Sequence, residues 1–79
     1  MEIENLLRMT NRIGDFFEAM PDPKEARDNI ADHLRRFWEP RMRTELLAYI
    51  DRTGGAGLHA MVLEAIRLHY ADLKPAVAA

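Results

Sequence analysis

His33, His59 and His69 are the only imidazoles in the chain. Imidazole is the side chain best suited to proton transfer near neutral pH and to holding a metal ion, but the spacing here supports neither use. A helical metal site sets two ligands on one face, as in His-Glu-x-x-His, or places a carboxylate three residues before a histidine as in di-iron bundles. No such pairing occurs: His59 and His69 are ten positions apart, and His33 stands alone four residues before Phe37. Nucleophiles are scarcer still. The chain has neither serine nor cysteine, and its only side-chain hydroxyls are Thr10, Thr44, Thr53, Tyr49 and Tyr70. That excludes a Ser-His-Asp triad, a cysteine nucleophile, disulfides and thiolate metal sites. The Thr-Gly-Gly-Ala-Gly run at 53–57 lacks the lysine of a phosphate loop and the strand that should precede it, so it reads as a helix–helix turn. Carboxylates are plentiful, but acid/base work needs a cleft that holds two of them at different pKa values. No catalytic, cofactor-binding or metal-ligating residue is expected.

What stands out is Arg-Arg-Phe-Trp-Glu-Pro-Arg-Met-Arg at 35–43, four arginines, two aromatics and a methionine around a proline bend. In one reading Phe37 and Trp38 close the core and the arginines are solvated. In the other the stretch is a protein interface, since Trp, Arg and Met are enriched at contact surfaces. Guanidinium also pairs rigidly with carboxylate or phosphate. The interface reading takes Arg35, Arg36, Trp38, Arg41 and Arg43 as a docking surface, supported by Asn11 and Arg12 from the first helix.

The elements that must present these residues are helices. Ile3, Leu6, Met9, Ile13, Phe16 and Met20 recur at three- and four-residue spacing, with Leu7 and Phe17 widening the stripe, which predicts a helix over 3–19. Gly14 within it costs about 1 kcal/mol of helix propensity relative to Ala. Either a close helix approach or a tolerated defect accounts for it. Pro21 ends that helix. Asp22 is placed as the cap of a second helix over 23–37, with Pro23 at its first position and Glu25 three residues after the cap. Pro40 forces a boundary and opens a third helix over 40–52. After the glycine turn a fourth helix is expected over 58–73, and 75–79 read as a flexible tail. Ile13, Phe16, Ile30, Leu34, Leu46, Ile50, Val62 and Ile66 are the expected core. No alternating β-branched run survives, so the fold class is all-α: a small four-helix domain spanning 1–74 with short connections.

Composition bounds the partners. With 48% hydrophobic and 30% charged residues the chain is globular rather than disordered. Its formal charge of −2 is uneven. Residues 1–34 carry eight acidic and four basic side chains, 35–43 one and four, and 44–79 four and three. A nucleic-acid binder is usually basic over a whole face, and this is one short patch between acidic flanks. The opening Met-Glu-Ile-Glu is acidic, no apolar run approaches the roughly 18 residues of a membrane span, and no lipidation site is present. A cytoplasmic protein without membrane or nucleic-acid partners is expected.

The stretches 6–22 and 30–43 together resemble the small delta subunit of NAD-dependent, molybdenum-containing formate dehydrogenases. The likeness is carried by Arg8, Met9, Asn11, Ile13, Gly14, Phe16 and Phe17, then by Pro21 and Asp22. Its most specific piece is Phe37, Trp38, Pro40, Arg41, Met42 and Arg43. The glycine turn at 54–57 and the apolar helix after it continue the pattern. Arg12 stands where the family commonly has glutamine, Thr10 where alanine is common, and Glu39 where aspartate is. The resemblance implies an accessory subunit that binds a catalytic alpha subunit, in a complex with beta and gamma subunits, and supports molybdenum cofactor insertion, assembly or stability. In that complex formate would be oxidised at a molybdenum bis-pterin guanine dinucleotide, with iron–sulfur clusters and FMN passing electrons to NAD. None of these groups is expected on this chain alone. The alternative is a small helical regulatory or nucleic-acid-binding protein.

Overall fold

A computed structural model describes residues 2–75, and every regular element among them is a helix. They are α1 (Ile3–Glu18), α2 (Pro23–Phe37), α3 (Pro40–Thr53), α4 (Ala60–Leu68) and α5 (Tyr70–Leu73). The count differs from the four expected, because the last long segment breaks at His69 into α4 and the four-residue α5. No glycine or proline marks the break. His69 leaves helical geometry at φ −113°, ψ 23°, and its ring bridges two elements: Nε2 lies 2.9 Å from Asp28 of α2 and Nδ1 3.7 Å from Asp72 of α5. Apart from Pro75, the expected tail lies outside the described residues.

α2 is central and packs on α1, α4 and α5. Its inward stripe advances four residues at a time: Ala26, Ile30, Leu34 and then Trp38, all buried. Leu6 from α1, Leu46, Leu47 and Ile50 from α3, Val62, Ala65 and Ile66 from α4 and Leu73 from α5 complete the core. Six of the eight expected core residues are fully buried; Ile13 is half-buried against the core, and Phe16 is 74% exposed. The correction has a simple geometry. The buried residues of α1 are Leu6, Thr10 and Gly14, a line of four-residue steps, and Phe16 projects about 160° away from Gly14 at 100° per residue.

That line is narrow for a reason. A Cβ on Gly14 would stand 2.7 Å from Val62 Cγ2 and 2.8 Å from the His59 ring, so α1 meets the start of α4 with no room for a methyl group. Of the two readings of Gly14, close approach is the one the packing supports. Thr10, also buried, satisfies its hydroxyl on the Leu6 carbonyl one turn back. Gly54 ends α3 at φ 76°, the left-handed conformation that suits glycine, and its N–H bonds the Ile50 carbonyl. At the other junction the Asp22 carboxylate accepts the Lys24 N–H at 3.0 Å, with Pro23 as first helical residue.

Two substitutions probe these local rules. Asp22→Ala should lower stability by about 0.5–2 kcal/mol in urea unfolding; an unchanged midpoint would mean the cap contributes nothing. Gly14→Ala gains about 1 kcal/mol of helix propensity, against about 1–3 kcal/mol for overpacking a rigid contact. Its melting temperature should therefore fall, whereas a rise would mean that α4 yields easily at Val62 and His59.

Candidate functional site

The arginine-rich stretch is folded into two different environments. Pro40 holds Trp38 and Glu39 in extended backbone between α2 and α3. Trp38, four residues beyond Leu34, continues the inward stripe and is only 5% exposed. Of its two readings, closing the core and anchoring a partner, the burial supports the first. Phe37, one position earlier, falls off the stripe and is 70% exposed. The arginines around them are unequally engaged. Arg35 and Arg36 both bind the Asp32 carboxylate, at 3.3 and 3.1 Å. Arg43 is half-buried and donates from Nη1 to the Arg35 carbonyl at 2.9 Å, tying α3 to the end of α2. Arg41 is exposed and makes no ion pair among the described residues.

Asn11 and Arg12 are neighbours with separate tasks. The Asn11 amide clamps the glycine loop, donating to the Gly57 carbonyl at 3.0 Å and accepting the His59 N–H at 2.9 Å. Arg12 is exposed and lines an apolar hollow of about 330 Å³ shared with Ile13, Phe16, Phe17 and His33. Above this hollow runs a continuous series of rings. Phe16 meets Phe17 edge-on at 5.0 Å between centroids, Phe17 meets His33 at 6.3 Å, and His33 meets Phe37 at 4.9 Å. The strip crosses from α1 to α2 and ends on two mostly exposed phenylalanines. Periodicity placed these rings in the core or left them unassigned. The Phe16–Phe17 doublet, whose members point about 100° apart, hinted at an outward ring, but adjacent pairs such as Leu46–Leu47 are both buried, so the doublet alone does not decide it.

The other two histidines are structural. His59 caps α4: its Nδ1 accepts the Met61 N–H at 3.2 Å. Its Nε2 lies 3.0 Å from Glu18 and 3.5 Å from Asp15. These three groups stand close enough to hold a cation, but the cap decides their chemistry. A neutral ring that accepts at Nδ1 carries its hydrogen on Nε2, the atom facing both carboxylates, so it donates to them instead of ligating. His69 lies in an acidic groove with Asp28, Asp32 and Asp72. Its hydrogen bond, and a second from Lys24, hold the Asp28 carboxyl below its usual range. The Tyr70 phenol donates to Asp51 at 2.8 Å, which raises its pKa.

Residues 5–66 match the family model described as NADH-dependent formate dehydrogenase delta subunit FdsD. The chain belongs to that family. No curated protein and no solved structure gave a match. The part matched to the FdsD model runs from the first turn of α1 to Ile66 in α4. It therefore includes the Asn11 clamp, the ring strip and the whole of 35–43, while the His69 break and α5 lie beyond it. Among the described residues no helix is long and apolar enough to cross a membrane.

The Asp28 pairing carries a pH dependence of defined sign. A carboxyl whose pKa is lowered on folding adds stability above its ordinary value of about 3.9, and that stability drains away as acid takes the pH below it. Asp28→Asn should thus melt earlier than the parent at neutral pH, with the gap closing below about pH 4. A gap of constant size through acid pH would assign Asp28 a neutral hydrogen-bonding role only.

Proposed function

We propose that this chain is the non-catalytic delta subunit of a cytoplasmic, NAD-dependent molybdenum formate dehydrogenase. In this role it binds the catalytic alpha subunit, within a complex that also holds beta and gamma subunits, and supports cofactor insertion, assembly or stability. The observation that carries the reading is the family match over 62 of 79 residues. The side chains support it. A chain without cysteine offers no thiolate to an iron–sulfur cluster. The hollow at Phe16 presents four ring or aliphatic side chains and a single guanidinium, which does not fit a resident pterin dinucleotide with its several phosphates. Both features support a reading in which the redox groups sit on other subunits and formate oxidation runs outside this chain.

The docking arginines divide by availability. Arg41 and Arg12, exposed and without carboxylate partners among the described residues, are free to meet the alpha subunit. Arg35 and Arg36 share Asp32 and can exchange it for a partner's carboxylate. Trp38, Asn11 and Arg43 act from behind, holding the backbone that presents the others.

The complex produced with and without this chain tests the role. Without it, the catalytic subunit should lose most of its molybdenum and the cells most of their formate-dependent NAD reduction. Equal metal content in both preparations would overturn the accessory role. Arg41→Ala, which removes no side-chain hydrogen bond or ion pair among the described residues, should weaken binding to the catalytic subunit about tenfold, the scale of one charge-assisted hydrogen bond.

A further inference from the structure

We propose that the ring strip across α1 and α2 is the receptor for an acidic, amphipathic segment of the partner subunit. That segment would lay an apolar side chain into the hollow at Phe16 and set carboxylates against Arg8 and Arg12. The inference rests on the delta-subunit reading for the partner's identity; it adds the place and the chemistry of the contact. Phe16 and Phe37 are 74% and 70% exposed, and Met9 at 38% extends the same apolar surface along α1. None of the three contributes to the core, which Ile13 and Phe17 already approach from α1. Exposed rings grouped over a hollow, on a domain with so little apolar material to spare, mark a surface built to be covered.

Charge selects what covers it. The acids of the second half of α1, Asp15 and Glu18, are turned toward His59 and α4. Its two arginines, Arg8 and Arg12, lie one turn apart on the side of Met9 and Phe16, and together with Asn5 and Met9 they line one shallow groove. Arg8 meets only the neutral Asn5 amide, at 3.3 Å, and neither arginine reaches a carboxylate among the described residues. An apolar strip edged by two unneutralised guanidiniums is complementary to a segment that alternates apolar and acidic side chains. A second copy is a poorer occupant, because two-fold pairing brings two patches of the same positive charge together and supplies no carboxylates from the patch itself.

The test is capture of the catalytic subunit by tagged chain in cells producing every subunit, for the parent and two double variants. Phe16→Ser/Phe37→Ser removes exposed rings, and Arg8→Glu/Arg12→Glu reverses exposed charge; circular dichroism and melting should match the parent for at least the second. Each should reduce capture about tenfold or more, and parental capture should weaken with rising salt. Parental capture with both variants holding the partner as well as the parent does would overturn the strip as the receptor while leaving the delta-subunit role intact. Failure of the parent itself to capture any dehydrogenase subunit would overturn that role, and this inference with it. Self-association of the parent in sedimentation, abolished by Phe16→Ser/Phe37→Ser while capture persists, would give the strip to a second copy and overturn the proposal.

Discussion

The meeting of α1 and α4 at Gly14 governs the arrangement of the rest. With no methyl group between them, the backbone of α1 comes within van der Waals reach of Val62 and of the His59 ring. That ring is in turn held by the helix it caps and by Glu18 from α1. Asn11, one turn before Gly14, fastens the glycine loop to the same helix through both ends of its amide. A contact this tight leaves no freedom to rotate α1. Its three sides are consequently committed: one to the core, one to the His59 cap, and one, carrying Arg8, Arg12 and Phe16, to the outside.

Much of this was legible in the residues themselves. Asp22–Pro23 and Pro40 announce helix starts because proline removes a donor that the first turn does not use, and Gly54 announces an end because it tolerates left-handed backbone. The inward stripe of α2 was legible as well. What misled was hydrophobicity taken as burial. Phe16 and Phe37 are as apolar as any core residue, and a pattern of apolar positions does not distinguish a ring that packs inside from one left on the surface. Trp38 was open between core and anchor, and the four-residue steps from Ala26 through Leu34 favour the core. The break at His69 has no glycine or proline to announce it, and the contact its ring makes is with Asp28, 41 positions away. The Asn11 clamp is equally non-local.

The division of apolar surface suits a subunit that works by attachment. Thirteen hydrophobic residues form the buried core among those described, a small number even for a chain this short, and at this size hydrophobic burial and chain entropy nearly cancel. Two large rings kept outside are stability forgone by the free chain. A partner that covers them returns it by mass action, because anything that binds only the folded form stabilises that form.

The Asn11 clamp also couples local and global order. Residues 53–59 form the most glycine-rich part of the chain, the kind of turn whose amides ordinarily exchange with solvent through small fluctuations. Here the His59 amide is held by a side chain 48 positions earlier, on a helix wedged against the segment that follows the loop. Freeing that hydrogen takes more than a flicker of the turn, since the Asn11 amide, which also holds the Gly57 carbonyl, must withdraw. Exchange at this one loop amide is therefore tied to a side chain of α1 as well as to the turn itself.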